Sequence, residues 1–159
     1  MLMNRAWIEE HIPHQGRMCL LDEVLGWDMQ HIRCRSATHR AADNPLRSQG
    51  RLGIACGIEY AAQAMALHGA LALHGARAAG TASGAPLEVP AVGFLAGVRE
   101  VHFSVSRLDD IESDLFSEAT LVAGDGRTAI YEFTLRDNRR NLLSGRATIL
   151  LNSNKRLRT

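Results

Sequence analysis

One carboxylate interrupts the longest apolar stretch of this chain. Residues 53–75 read GIACGIEYAAQAMALHGALALHG, with Glu59 the single acid and Gln63 four positions later. On a helix that spacing puts both side chains on one side. A carboxylate in an apolar helix loses hydration unless something pairs with it, and desolvation favours the protonated, proton-donating form. Two readings follow from the pattern: a buried functional acid, or a surface edge of the helix with Glu59 simply solvated. The histidines are the available bases. His68 falls nine positions after Glu59, close to the opposite side of a helix with 3.6 residues per turn, and so outside its site. His102 faces away from Val101 and Phe103, toward solvent, and His39 reads as a surface residue at a strand exit. Cys56, one turn before the acid, reads as a small packed residue.

Other chemistries are poorly served. Cys19, Cys34 and Cys56 are odd in number and form no CxxC pair, against a disulfide framework or a zinc site. There is no phosphate-cradling glycine loop and no ligand-spaced cluster, so neither metal nor nucleotide cofactor is expected. A net charge of +1 gives no global argument for nucleic acid. The Arg139-Arg140 pair and the basic tail read as solvated faces. Glu59, Gln63, His68 and His74 break the long apolar run, so no membrane span is expected. With no signal peptide at the start, a reducing cytoplasm is the expected location.

The elements that must hold the acid follow from pattern. The spacing predicts a short helix over 4–11 with Trp7 and Ile8 inward, ended at Ile12-Pro13. Strands are predicted over 20–27 and 31–38, the second alternating Ile32, Cys34, Ser36 against His31, Arg33, Arg35. A turn-rich approach over 39–53 leads to the long helix, which Gly75 or Gly80 would stop. After a small-residue loop over 81–86 come strands over 88–105, 115–123, 128–136 and 142–151. Short polar turns at Gly124-Asp125-Gly126 and Asp137–Arg140 make the last three antiparallel. The economical packing is α+β: a curved antiparallel sheet wrapped round one apolar helix. The 159 residues, 46% hydrophobic, suit a single domain over 1–159. The 88–105 strand would leave an exposed edge unless another chain covers it.

Four stretches resemble one family, the hot-dog-fold 3-hydroxyacyl-acyl-carrier-protein dehydratases, in particular the branch linked to aryl-polyene-type lipids. They are Ile12-Pro13-His14 through Val24 with Asp22; Asn44-Pro45 and Gln49-Gly50; Glu59 with Ala62-Gln63; and Gly93-Phe94-Leu95-Ala96-Gly97-Val98 with Phe103. The resemblance implies a hot-dog fold and removal of water from a 3-hydroxyacyl thioester on an acyl carrier protein or coenzyme A. It implies Glu59 as the acid, and His14, from the tunnel-lining Pro-His segment, as the first choice of base. Substrate contacts would come from Arg51, Gly53, Ile54, Gly57, Gln63, Phe94 and Leu95. Backbone N–H groups at the helix start would polarise the carbonyl, worth about 3–4 kcal/mol. Gly53 and Gly57 fit close ligand approach or, equally, helix–sheet clearance. A homodimer or a heterodimer with another hot-dog chain is implied, since the family's tunnel lies between protomers.

One departure stands out. Arg51 occupies the slot where the family carries its catalytic histidine, and about six residues that usually follow are missing before Gly53. Arginine stays protonated and cannot be the base, and general base catalysis is usually worth ~10²–10⁴-fold. Arg51 could instead hold a phosphopantetheine phosphate or a carboxylate. The expected functions are therefore a carrier-dependent dehydratase, a weakly or non-catalytic subunit pairing with an active hot-dog chain, or an acyl thioesterase on the same scaffold.

Overall fold

The structure, a computed structural model, describes residues 3–78 and 92–152. The loop expected over 81–86, the Gly80 stop and the start of the strand expected from 88 lie outside these residues. Helix α1 spans Arg5–His11. Asn4 caps it by accepting the Trp7 N–H, Ile8 is fully buried beneath it, and Ile12 turns extended ahead of Pro13.

Six strands follow: β1 (Glu23–Trp27), β2 (His31–Ser36), β3 (Val92–Phe103), β4 (Leu115–Gly124), β5 (Thr128–Arg136) and β6 (Asn141–Asn152). All pairings are antiparallel, in the order β1-β2-β4-β5-β6-β3. The connections β1–β2, β4–β5 and β5–β6 use one device. Asp28, Asp125 and Asp137 each accept, through Oδ1, the N–H groups two and three residues ahead, at 2.8–2.9 Å. An aspartate that stands in for a backbone acceptor makes a tight turn. Bulges in four of the five strand pairings bend the sheet.

Alternation decides which sheet face is buried. Ala129, Tyr131, Phe133 and Leu135 of β5 pair with Ile149, Ala147, Gly145 and Leu143 of β6 on one face. Helix α2 (Gly57–Ala78), led in by a 3-10 turn at Ile54–Cys56, packs on that face, mainly over β4, β2 and β5. Gly75 does not end it. Tyr60, Ala61, Ala64, Met65, Leu67 and Leu71 face the sheet and are buried. The other side is open: Glu59, Ala62, Ala66, Gly69, Ala70 and Leu73 are only partly buried or exposed. The helix that reads apolar all round therefore has a free side, built mainly of alanine and glycine with Glu59 at its head.

Strand β3 forms one edge of the sheet. Leu95, Val98 and Phe103 share the register of the inward residues of β6, yet stay exposed, Phe103 by 49%. The helix does not reach far enough to cover them.

Candidate active site

Glu59 stands in the first turn of α2 on the wall of a cavity of about 300 Å³. Pro13 and His14 form one side, Ala62 and Ala66 continue the helix wall, and Gly93, Phe94, Leu95 and Ile149 face them from β3 and β6. The carboxylate itself is exposed, and among the described residues it has no ion-pair partner. Of the two sequence readings, a solvated helix edge describes the hydration of Glu59 in a single chain. Glu59 nevertheless lines a cavity whose walls are largely apolar. His14 is partly buried, and its Nδ1 is buried with no hydrogen-bond partner among the described residues. A side chain that can give a proton and one that can take it thus line one slot.

The segment carrying His14 is tied down through its backbone. Gln63 Nε2 donates to the Met18 carbonyl at 2.8 Å, and Gln63 Oε1 accepts the Leu20 N–H at 2.9 Å. The Leu20 carbonyl accepts from Thr38 Oγ1 at 2.7 Å, and that hydroxyl lies 2.9 Å from the Tyr60 hydroxyl. Asn44 Nδ2 donates to Tyr60 and to the Thr38 carbonyl. Arg5 reaches the carbonyls of Gly16 and Cys19 and the Asp22 carboxylate. Asp22, Asn44 and Gln63, three of the residues that carry the family likeness, thus serve one network around Leu20.

The structure brings His14, Glu59, Phe94 and Leu95 together, but not the other expected contacts. Gln63, expected at the substrate, is 1% exposed with its amide engaged by backbone. Ile54 is buried in the core and donates its N–H to Ser106. A Cβ added to Gly57 would lie 2.8 Å from Leu135 Cδ2 and closer still to Leu143, so Gly57 provides helix–sheet clearance. Gly53 is exposed with open space where a Cβ would go, but does not line the cavity. Arg51 ends a tight turn, Ser48–Arg51, in which Gln49 (φ 52°) and Gly50 (φ 75°) both take left-handed backbone. It is exposed, away from the cavity. The helix-start N–H groups of Ile54, Cys56 and Gly57 are taken by Ser106, Gly53 and Ile54, so none of these three is free to polarise a carbonyl.

His39, expected at the surface, is fully buried, with Nε2 3.0 Å from the Ile111 carbonyl and its basicity lowered by burial. His102 is exposed, as expected, and His68 is buried on the sheet side of α2, away from Glu59. Burial raises the Cys56 thiol and pushes Cys34 up to about 12, so neither suits a nucleophile. Sequence reasoning did not single out Ala66 and Ile149. The signal for Ala66 is the spacing of Ala62 and Ala66, three and seven positions after Glu59, which keeps the cavity side of α2 bare. Ile149, on β6, reaches the cavity only through the sheet pairing and has no local signal. A second chamber of about 320 Å³ shares Ala66, Gly93 and Ile149 with the first and runs on to Met65, Leu121, Ala129 and Tyr131.

A hot-dog architecture with an acid on the central helix defines the class, and the family follows from comparison. The profile of the ApeP-like family (ApeP dehydratase) matches residues 6–157, and the chain belongs to that family. Its fold is similar to a solved structure, the dehydratase heterocomplex ApeI:P from Xenorhabdus doucetiae. That match has 22% identity and a TM-score of 0.76, covering 94% of this chain and 93% of that one. More distant likenesses include a thioesterase variant of Pseudomonas aeruginosa (10% identity, TM-score 0.57, 82% and 81% covered). A hypothetical thioesterase with coenzyme A from Streptococcus pneumoniae is similar too (12%, 0.56, 82% and 85%). These likenesses show the hot-dog fold. No curated protein matches the sequence. Among the described residues no helix is long and apolar enough to cross a membrane.

Proposed function

We propose that this chain dehydrates 3-hydroxyacyl thioesters carried on acyl carrier protein, with Glu59 as acid and His14 as base. The observation that carries the reading is that both side chains line one largely apolar cavity. In the reaction His14 removes a proton from the carbon beside the thioester carbonyl, and Glu59 protonates the hydroxyl on the next carbon. The C–H and C–O bonds break, a C=C bond forms and water leaves. Solvent then returns a proton to Glu59 and takes one from His14. The acyl tail would extend into the second chamber past Ala66 and Ile149.

A proton donor has to carry its proton, and withdrawal from water favours that form. The uncovered strand β3 supplies a means. A second hot-dog chain against Phe94, Leu95 and Val98, all exposed, would roof the cavity and enclose Glu59. The heterocomplex from Xenorhabdus doucetiae supports a different hot-dog chain as that partner. A second reading, in which this chain mainly shapes a partner's site, is favoured by Arg51. The residue in the usual histidine slot cannot act as a base and lies outside the cavity.

The test is enoyl formation from a 3-hydroxyacyl carrier thioester, first with the chain alone and then with the hot-dog chain that copurifies with it. Glu59→Gln and His14→Ala are each expected to lower the rate about 10²–10⁴-fold. Full activity in both variants sinks the assignment. Activity only with the partner, insensitive to both substitutions, establishes the second reading, and hydrolysis without dehydration would point to a thioesterase.

A further inference from the structure

We infer that Gln63 is a positioning residue: it sets His14 against Glu59 by clamping the base-bearing segment to the acid-bearing helix. This rests on the reading of His14 and Glu59 as a base and acid pair. Gln63 lies one turn after Glu59 on the same rigid element, so its amide is fixed relative to the acid. Both amide atoms are committed, Nε2 to the Met18 carbonyl at 2.8 Å and Oε1 to the Leu20 N–H at 2.9 Å. With the residue 1% exposed, water does not compete for these bonds.

His14 needs such a clamp because its own ring is not held at Nδ1. That atom is buried without a hydrogen-bond partner among the described residues. An imidazole usually takes its orientation from a bond to one ring nitrogen. With no hydrogen bond to the ring among the described residues, the position of the imidazole depends on the backbone on which it is mounted. Between His14 and the clamp the chain passes through Gly16, whose φ of 57° belongs to the left-handed region, and a 3-10 turn at Gly16–Met18. Arg5 also holds this segment, but from α1, which does not carry the acid. Tyr60 reaches Leu20 only through Thr38. Among the described residues, Gln63 is the direct side-chain tie from α2 to the segment. A misplacement of about 1 Å can cost a reaction 10²-fold, so loosening this tie acts on the chemical step.

The experiment is a double-mutant cycle on the full chain, with its hot-dog partner if the partner is required. Gln63→Leu is expected to lower kcat 10- to 100-fold with KM changed less than threefold. In a His14→Ala background the same substitution is expected to lower kcat no further, since Gln63 acts through His14. Additive losses overturn the inference, as does an unchanged kcat in Gln63→Leu. A lowered melting temperature with unchanged kcat well below it identifies Gln63 as merely structural. If His14→Ala is itself fully active, the acid–base reading falls first and this inference with it. Should Gln63→Leu not fold, Gln63→Glu serves. Ionised, it still accepts from Leu20 but faces the Met18 carbonyl without a proton, so kcat is expected to recover at low pH. A second readout needs no activity: the His14 imidazole NMR signal is expected to shift in the Gln63 variant, and an unmoved signal overturns the inference.

Discussion

His68 Nδ1 lies 2.7 Å from the Tyr131 hydroxyl, inside the packing between α2 and β5. The other ring nitrogen, Nε2, is 2.9 Å from the Asp28 carbonyl. A carbonyl only accepts, so Nε2 carries the proton, Nδ1 is the acceptor, and Tyr131 O–H donates to it. The pair closes the sheet side of the helix with a neutral imidazole, and it ties α2 to the β1–β2 turn.

The pH dependence of stability follows from that neutrality. Burial lowers the basicity of both His68 and His39 below the ordinary histidine range. Below about pH 6.5 the unfolded chain therefore binds protons that the folded chain refuses. Stability is expected to be complete above that pH and to decline as pH falls beneath it, by up to ~1.4 kcal/mol per pH unit for each histidine. Urea melts between pH 5 and 8 measure it, and His68→Gln should flatten the slope. A slope unchanged in that variant would remove His68 from the account.

Gly57 and Gly53 are expected to respond unequally to alanine. At Gly57 the added methyl meets two buried leucines, Leu135 and Leu143. Overpacking typically costs about 1–3 kcal/mol, against roughly 1 kcal/mol gained from alanine's helix propensity. Gly57→Ala should therefore lose about 1 kcal/mol, a melting shift of roughly 2–4 °C. Gly53→Ala, which meets open space, should stay within about 0.5 kcal/mol. Equal melting temperatures in the two variants would show that the leucines yield freely.

Ala66 sits where the two chambers meet. Ala66→Phe should leave short 3-hydroxyacyl thioesters as substrates within about threefold. It should lower kcat/KM for long ones tenfold or more, within the range that shape changes in apolar pockets produce. A uniform loss across chain lengths would place the acyl tail elsewhere.

The bare edge of the sheet is the surface on which assembly is expected. Phe94→Glu with Val98→Glu puts two charges on exposed positions of β3, so the fold should tolerate them. Light scattering is expected to show a smaller assembly and the dehydration assay a parallel loss. An unchanged assembly state would mean that partners do not meet through β3.

Much of the scaffold was legible because it is written in local pattern. The alternation in residues 31–36 reappears as the burial of Ile32, Cys34 and Ser36, and the aspartate turns lie where polar clusters placed them. The Ile12-Pro13 break likewise ends α1, at His11. Gln63 shows where such reading stops. Its spacing from Glu59 was plain, but whether its amide meets substrate or backbone depends on a segment 43 residues away. His39 likewise read as a surface residue, but it is buried against Ile111, 72 residues away.

By itself, the sequence determined the elements, their order and the presence of one acid at the head of the central helix, because periodicity and turn chemistry act over a few residues. The tertiary structure alone decided that His14 shares a cavity with that acid, that Arg51 and Gly57 do not, and that one side of α2 is bare. Those outcomes depend on which distant residues arrive at each face of the rod, and on how far a single helix can cover a six-stranded sheet.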